Sequence, residues 1–219
     1  KGFGRYFQAG IQMGIESMIT SDKAVTLSHG HEDLLVTQGL YFKWDNRDWP
    51  VYPASGWLVD FNLFETKVRQ NGFKRGSLEI NHFRKVRDKQ ILALQLRYAG
   101  SEGTLPVYKR LHLGGVKSLR GYKAGQFGGN HMLYSSAEYR FPMFYLRHPD
   151  EGVHLGWIGF VFWDTGSAWY QMNDLEEIKW HHSAGLGIHA ILDSWRLRIE
   201  YGQLFRGLGY ISAGTSLKF

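Results

Sequence analysis

The stretch His154-Leu155-Gly156-Trp157-Ile158-Gly159-Phe160-Val161-Phe162-Trp163-Asp164-Thr165-Gly166-Ser167-Ala168-Trp169 carries two interleaved sets of side chains. Leu155, Trp157, Gly159, Val161 and Trp163 share one parity; Gly156, Ile158, Phe160, Phe162 and Asp164 share the other. A period of two is the signature of a strand, because successive Cβ atoms leave a pleated backbone on opposite faces. A tilted strand of about 9–11 residues crosses a bilayer, and this stretch is longer than that. One face carries Trp and the other a lone carboxylate, an asymmetry that suits a sheet with lipid on one side.

The same alternation extends in both directions. Phe7, Ala9, Ile11, Met13 and Ile15 oppose Gln8, Gly10, Gln12, Gly14 and Glu16, and Trp57, Val59, Phe61 and Leu63 share a face. Leu92, Leu94, Leu96 and Tyr98 oppose Ala93, Gln95 and Arg97; Leu133, Ser135, Ala137, Tyr139 and Phe141 oppose Tyr134, Ser136, Glu138 and Arg140. Further along, Leu186 and Ile188 oppose Gly187 and His189, while Trp195, Leu197, Ile199 and Tyr201 oppose Arg196, Arg198 and Glu200. Ten strands are expected, at 4–18, 33–45, 56–67, 73–85, 90–99, 131–141, 154–169, 182–192, 195–202 and 209–219; a hairpin within 18–32 would make twelve. The connections 86–89 and 193–194 are short, and 100–130 is long. Short periplasmic turns and long outer loops alternate in this way in outer-membrane barrels, although 45–56 and 142–153 exceed that pattern on the short side.

Composition narrows the class. Hydrophobic residues make up 43% of the 219, mean hydropathy is −0.32, and no run approaches the ~18 apolar residues of a membrane helix. Aromatics reach 16% and glycine 27 residues, as expected where only alternate residues meet lipid. Cysteine is absent, which excludes disulfides and thiol chemistry. The start, Lys1-Gly2-Phe3-Gly4, lacks the charged and apolar regions of a signal peptide. The net charge of +6 is scattered over the strands, so nucleic acid is not an expected partner. A soluble β-sandwich or lipocalin-like barrel inverts the same alternation. The glycines and single charges on the polar face, with Trp57, Trp157, Trp163, Trp195 and Tyr201 on the apolar one, favour lipid outside. The fold expected is all-β: one antiparallel transmembrane β-barrel domain of 10–12 strands over residues 1–219, with one long loop at 100–130.

Four motifs then carry a family resemblance. The long connection reads Leu111-His112-Leu113-Gly114-Gly115-Val116-Lys117-Ser118-Leu119-Arg120-Gly121-Tyr122 and continues through Gln126-Phe127-Gly128-Gly129-Asn130. It resembles the sixth-loop signature of the Omp85 (BamA/TamA-like bacterial surface antigen) family, with its (V/L)-R-G-(F/Y) core. Ala137-Glu138-Tyr139-Arg140-Phe141-Pro142 is similar to the strand after that loop, and Phe162 to Trp169 to the family's F-x-D-x-G-x-x-W strand. Asp45-Asn46-Arg47-Asp48, with Pro53 and Gly56, resembles its D-x-R-D…P…G turn. The resemblance implies that the loop folds into the lumen and that Arg120, with Gly121 and Tyr122 beside it, meets Glu138 and Asp164 there. A planar guanidinium can bridge two carboxylates, and lumen carboxylates are costly unless paired. The final Ser212-Ala213-Gly214-Thr215-Ser216-Leu217-Lys218-Phe219 resembles the outer-membrane β-signal, through Gly214, Leu217 and Phe219. That implies recognition by the barrel assembly machinery. Family members usually carry POTRA domains and sixteen strands; the expectation here is either a short form without POTRA domains, closing alone or with a second copy, or a fragment.

Other chemistry is weaker. His29-Gly30-His31-Glu32, with His181-His182, matches no standard zinc spacing and reads as a polar outer loop. No Gly-x-Ser-x-Gly elbow accompanies Ser135-Ser136, and Glu138 and Asp164 read as ion-pair partners of Arg120. No enzyme activity, metal or cofactor is expected. Lys43, Arg196, Arg198 and Lys218 would make the interior basic, but ten strands leave little open lumen. The expected function is insertion or translocation of proteins, or lipids, in the bacterial outer membrane, with outer-membrane lipid and the assembly machinery as partners. A scaffold or narrow-channel barrel, homodimeric or not, is the alternative.

Overall fold

Alternate residues along 154–169 alternate in burial. Phe160, Phe162 and Asp164 are buried, whereas Trp157, Val161 and Trp163 are exposed. A computed structural model describes residues 6–28, 30–50, 52–87, 89–147, 154–171, 178–192, 195–204 and 209–214. Its strands are β1 (Tyr6–Ile19), β2 (Glu32–Asp45), β3 (Gly56–Val68), β4 (Asn71–Arg87), β5 (Gln90–Gly103), β6 (Leu111–Leu113), β7 (Phe127–Gly129), β8 (His131–Arg147), β9 (His154–Trp169), β10 (His181–Leu192), β11 (Trp195–Leu204) and β12 (Tyr210–Gly214). Among the described residues the only helical element is a 3₁₀ turn at Val107–Lys109.

Ten strands form one antiparallel sheet in the order β1-β2-β3-β4-β5-β8-β9-β10-β11-β12, and β6 and β7 form a small separate hairpin. Each expected strand coincides with a strand of the large sheet. The hairpin considered within 18–32 is instead a loop, whose Leu27 and Ser28 amides donate to the Asp33 carboxylate at 2.8 and 2.9 Å. The two additional strands lie inside the long connection. β4, β5 and β8 run farther than expected, two of them through irregularities. The register shifts between Lys85 and Arg87 and between Pro142 and Phe144. The second shift accommodates a proline that cannot donate to a ladder.

Among the described residues no pairing joins β1 to β12, so the described sheet ends in two free edges there. The concave face carries the packed interior. Leu113, Leu119 and Tyr134 form one cluster, with Tyr122, Phe127 and Ala168 against it. Tyr52 and Ile91 form another, with Ala54 and Ile158.

The connection 46–55, longer than a minimal turn, folds back on itself and buries Tyr52. Asp48 Oδ1 accepts the amides of Trp49, Ala54 and Ser55 at 2.9, 2.9 and 3.1 Å, and Asn46 Oδ1 accepts that of Trp57 at 2.6 Å. Arg47 forks onto Asp45 at 2.8 and 2.7 Å. Gly56, at φ +111°, turns the chain back into β3. The closed turn carries Tyr52 inward, where its ring lies 5.1 Å from the Arg140 guanidinium and 6.3 Å, edge-on, from His189. Burial of Asp48 opposes its ionisation, but the Ser55, Ala54 and Trp49 donors outweigh this and hold its carboxyl below the usual range.

Candidate functional site

Parity places Glu138 of β8 and Asp164 of β9 on the concave face, and both are buried. The connection 104–130 folds inward onto them. Arg120 Nε and Nη2 donate to the two oxygens of Asp164, each at 2.8 Å, and the Arg120 amide adds a third bond at 3.1 Å. Nη1 reaches Glu138 Oε2 at 2.8 Å, and Nη2 also reaches Ser136 Oγ at 3.0 Å. Ser136 Oγ and Tyr134 Oη donate to Asp164 Oδ1 at 2.6 and 3.1 Å. The guanidinium lies 3.5 Å from the centroid of the Phe162 ring, so a π face covers the plane that its hydrogen bonds leave open. The structure thus brings together the three charged residues singled out from sequence.

The network is wider than that triad. Glu200 of β11 lies 3.5 Å from Arg120 Nη1. Arg140 donates to Glu138 at 2.7 Å, and Arg198 to Glu200 at 2.8 Å. Ser212 of β12 donates to Glu200 at 3.0 Å. Three guanidiniums therefore face three carboxylates, which offsets the large desolvation cost of each buried charge. Ser136, Arg140, Glu200 and Phe162 all lay on the correct parity in the sequence. What parity lacks is register across strands, which decides which lumen residues share a level.

Gly121 and Tyr122 act beside the charges. Gly121, at φ +87°, packs on the β11 backbone: a Cβ there would meet Gly202 C at 3.0 Å, and a Cβ on Gly202 would meet the Gly121 amide at 2.6 Å. Gly202 has no sequence signal of its own, since its need arises only from this approach. Tyr122 Oη donates to the His182 carbonyl at 3.1 Å, and its ring meets Phe127 and His181. It pins the loop to β10 rather than joining the acids. At the other end of the loop, Tyr108 donates to Asp33 at 2.7 Å and Lys109 pairs with Glu16 at 2.6 Å. Arg75 donates to the Lys109 carbonyl. Burial and the Asp33 carboxylate raise the Tyr108 hydroxyl well above its usual range. One loop is therefore fastened both to the β1–β2 side of the sheet and to β11.

Of the assembly-signal residues, Gly214 ends β12 on an exposed stretch; Leu217 and Phe219 lie outside the described residues. In the histidine-rich loop, His31 Nδ1 lies 3.1 Å from the Thr20 carbonyl oxygen, and His29 is outside the described residues. Among the described residues no group of three or more His, Asp or Glu could hold a metal.

Comparison with known proteins supplies the context for this loop and its buried acids. A solved structure, BamA from Haemophilus ducreyi lacking POTRA domains 1-3, is similar in fold: the TM-score is 0.67 at 15% identity, over 88% of this chain and 45% of that one. The chain thus spans less than half the length of that relative. No curated protein matches it. The model of the Omp85 superfamily domain matches residues 5–207. With that match over nearly all of its length, and with the inward loop fixed by Arg120 on Glu138 and Asp164, the chain belongs to the Omp85 superfamily.

Proposed function

We propose that this protein sits in the bacterial outer membrane and assists insertion or translocation of proteins, or of lipids, by parting the seam between β1 and β12. The observation that carries this reading is the pair of free edges at this seam. Within the bilayer every unpaired backbone group is costly, because no water is there to satisfy it, and an unpaired edge is a template for an incoming strand. β1 presents such an edge together with an apolar outer ladder: Ile11, Met13, Ile15 and Ile19 are 70–79% exposed. The lumen network braces β8, β9 and β11 while the edge remains available. The role involves no covalent step. The protein's own assembly would draw on the barrel assembly machinery through the C-terminal signal. In proteoliposomes of defined lipid, the protein should accelerate folding of an unfolded outer-membrane barrel client over protein-free vesicles. Equal rates with and without it would reject the proposal.

A second reading, a scaffold barrel paired with a second copy, is favoured by both sheet edges being open among the described residues. Native mass measurement in detergent separates the two: a stable dimer without insertion activity supports the scaffold.

A further inference from the structure

The lipid-facing surface of β1–β5 changes character along the strands. Near the periplasmic ends Trp57 stacks on His82 with ring centroids 3.9 Å apart. Ten residues farther along β3 lies Lys67. At about 3.3 Å per residue and a tilt of about 45°, that separation spans about 23 Å, close to the ~25 Å apolar band of such barrels. Trp57 and Lys67 therefore mark opposite interfaces, and Lys67 stands at the outer headgroup level.

The rows between them are set by register. The row Ile11↔Leu40↔Leu63↔Gly76 is apolar, the next row outward is Met13↔Gln38↔Glu65↔Lys74↔Glu102, and Lys67 lies beyond it. Two adjoining recesses follow these rows. The inner one, about 390 Å³, is lined by Ile11, Met13, Leu40 and Leu63. The outer one, about 520 Å³, is lined by Lys67, Arg69 and Lys74, with Glu65 and Glu102. Glu65 and Lys74 line both, so the two are continuous. At Gly76 a Cβ would meet only Leu63 Cδ1, at 3.8 Å, so the surface is hollow between them. Lys74 is in register beside both Glu65 and Glu102, yet among the described residues neither it nor Lys67 nor Arg69 forms an ion pair. Three cations thus stand without a close ion pair above an apolar groove, outnumbering the two carboxylates that share their recess, at the depth where lipid phosphates lie.

We propose that this corner of the sheet binds a phosphate-bearing lipid of the outer leaflet, with its phosphate on Lys67 and Lys74 and an acyl chain along Leu40 and Leu63. The assignment rests on the reading of the sheet as outer-membrane-spanning. Charge-assisted hydrogen bonds to phosphate supply selectivity for the headgroup, and the groove selects a lipid over a free anion. Arg69, at φ +53° in the tight β3–β4 turn, borders the same recess.

The test begins by assembling the protein in phosphatidylcholine vesicles and checking resistance to alkaline extraction. Native mass spectrometry in detergent then follows retention of bis-phosphorylated lipid A, phosphatidylcholine and inorganic phosphate. Wild type is expected to retain lipid A over phosphatidylcholine, the K67Q/K74Q variant to retain it at least about tenfold less, and K67R/K74R to retain it as wild type does. Equal retention by K67Q/K74Q overturns the site, as does inorganic phosphate binding as tightly as lipid A. A protein that inserts but does not prefer lipid A loses only this proposal. One that never enters the vesicles loses the membrane reading as well, and the site with it.

Discussion

Arg120 uses Nε, both Nη atoms and its own amide in the lumen. Removing its side chain would leave Asp164 buried without its guanidinium and Glu138 with Arg140 alone, and loss of one partner of a buried ion pair typically costs about 3–5 kcal/mol. Arg120→Ala should lower stability in urea titrations by about that much and open the 104–130 loop to protease. Arg120→Lys should not rescue it, because an ammonium cannot fork onto Asp164 while also reaching Glu138. Gly202→Ala is the steric counterpart: its Cβ would lie 2.6 Å from the Gly121 amide, and overpacking of this kind costs about 1–3 kcal/mol. Thermal unfolding of the variant should show the loss. At this scale sequence was informative where a residue carries both a motif and a parity, as Arg120, Glu138 and Asp164 do. It was silent on Gly202 and on the place of Glu200 in the network, because each is defined by what lies opposite in space.

Among elements, the two inward-folding connections differ in how they were anticipated. The 104–130 loop announces itself by length and by its glycine-flanked Arg120. Within it, the β6–β7 hairpin pairs Leu111 to Leu113 with Phe127 to Gly129 across a gap too long for a hairpin signal. The 46–55 turn was legible as a turn, from Asp45 to Asp48 and Gly56. The burial of Tyr52 was not, since nothing beside it in sequence says where its ring goes. Asp48 holds this turn by accepting three amides. Asp48→Ala should destabilise the protein by about 1 kcal/mol at neutral pH, since the donors it would release are exposed or part-buried. The folded-state pKa of Asp48 is depressed, so its contribution is full above the ordinary value of about 3.9 and is lost as pH falls through the folded value. Thermal melts of wild type and variant should therefore draw together progressively as pH falls below about 4; a difference that does not shrink with falling pH would show that the carboxylate is not the cause.

For the whole molecule, alternation along each strand specifies a sheet with one apolar and one polar face, and the short connections make neighbouring strands antiparallel. They do not specify closure, which depends on how the first and last strands meet, and β12 is described for only five residues. The loop fastens to both flanks of the opening, through Lys109–Glu16 on one side and through the Arg120–Glu200–Ser212 chain on the other. Weakening Lys109–Glu16 by Glu16→Gln should change client folding rates with less than ~1 kcal/mol lost in stability, since exposed ion pairs contribute little. The absence of native cysteine makes the central claim directly accessible. Cysteine pairs stepped along the lipid-facing residues of β1 and β12, starting from Ile11→Cys with Ile211→Cys, can be oxidised to fasten the seam. Client insertion in proteoliposomes is then followed before and after reduction. The cross-linked protein should be inactive and reductant should restore it; full insertion activity with the seam covalently closed would mean that the seam need not part.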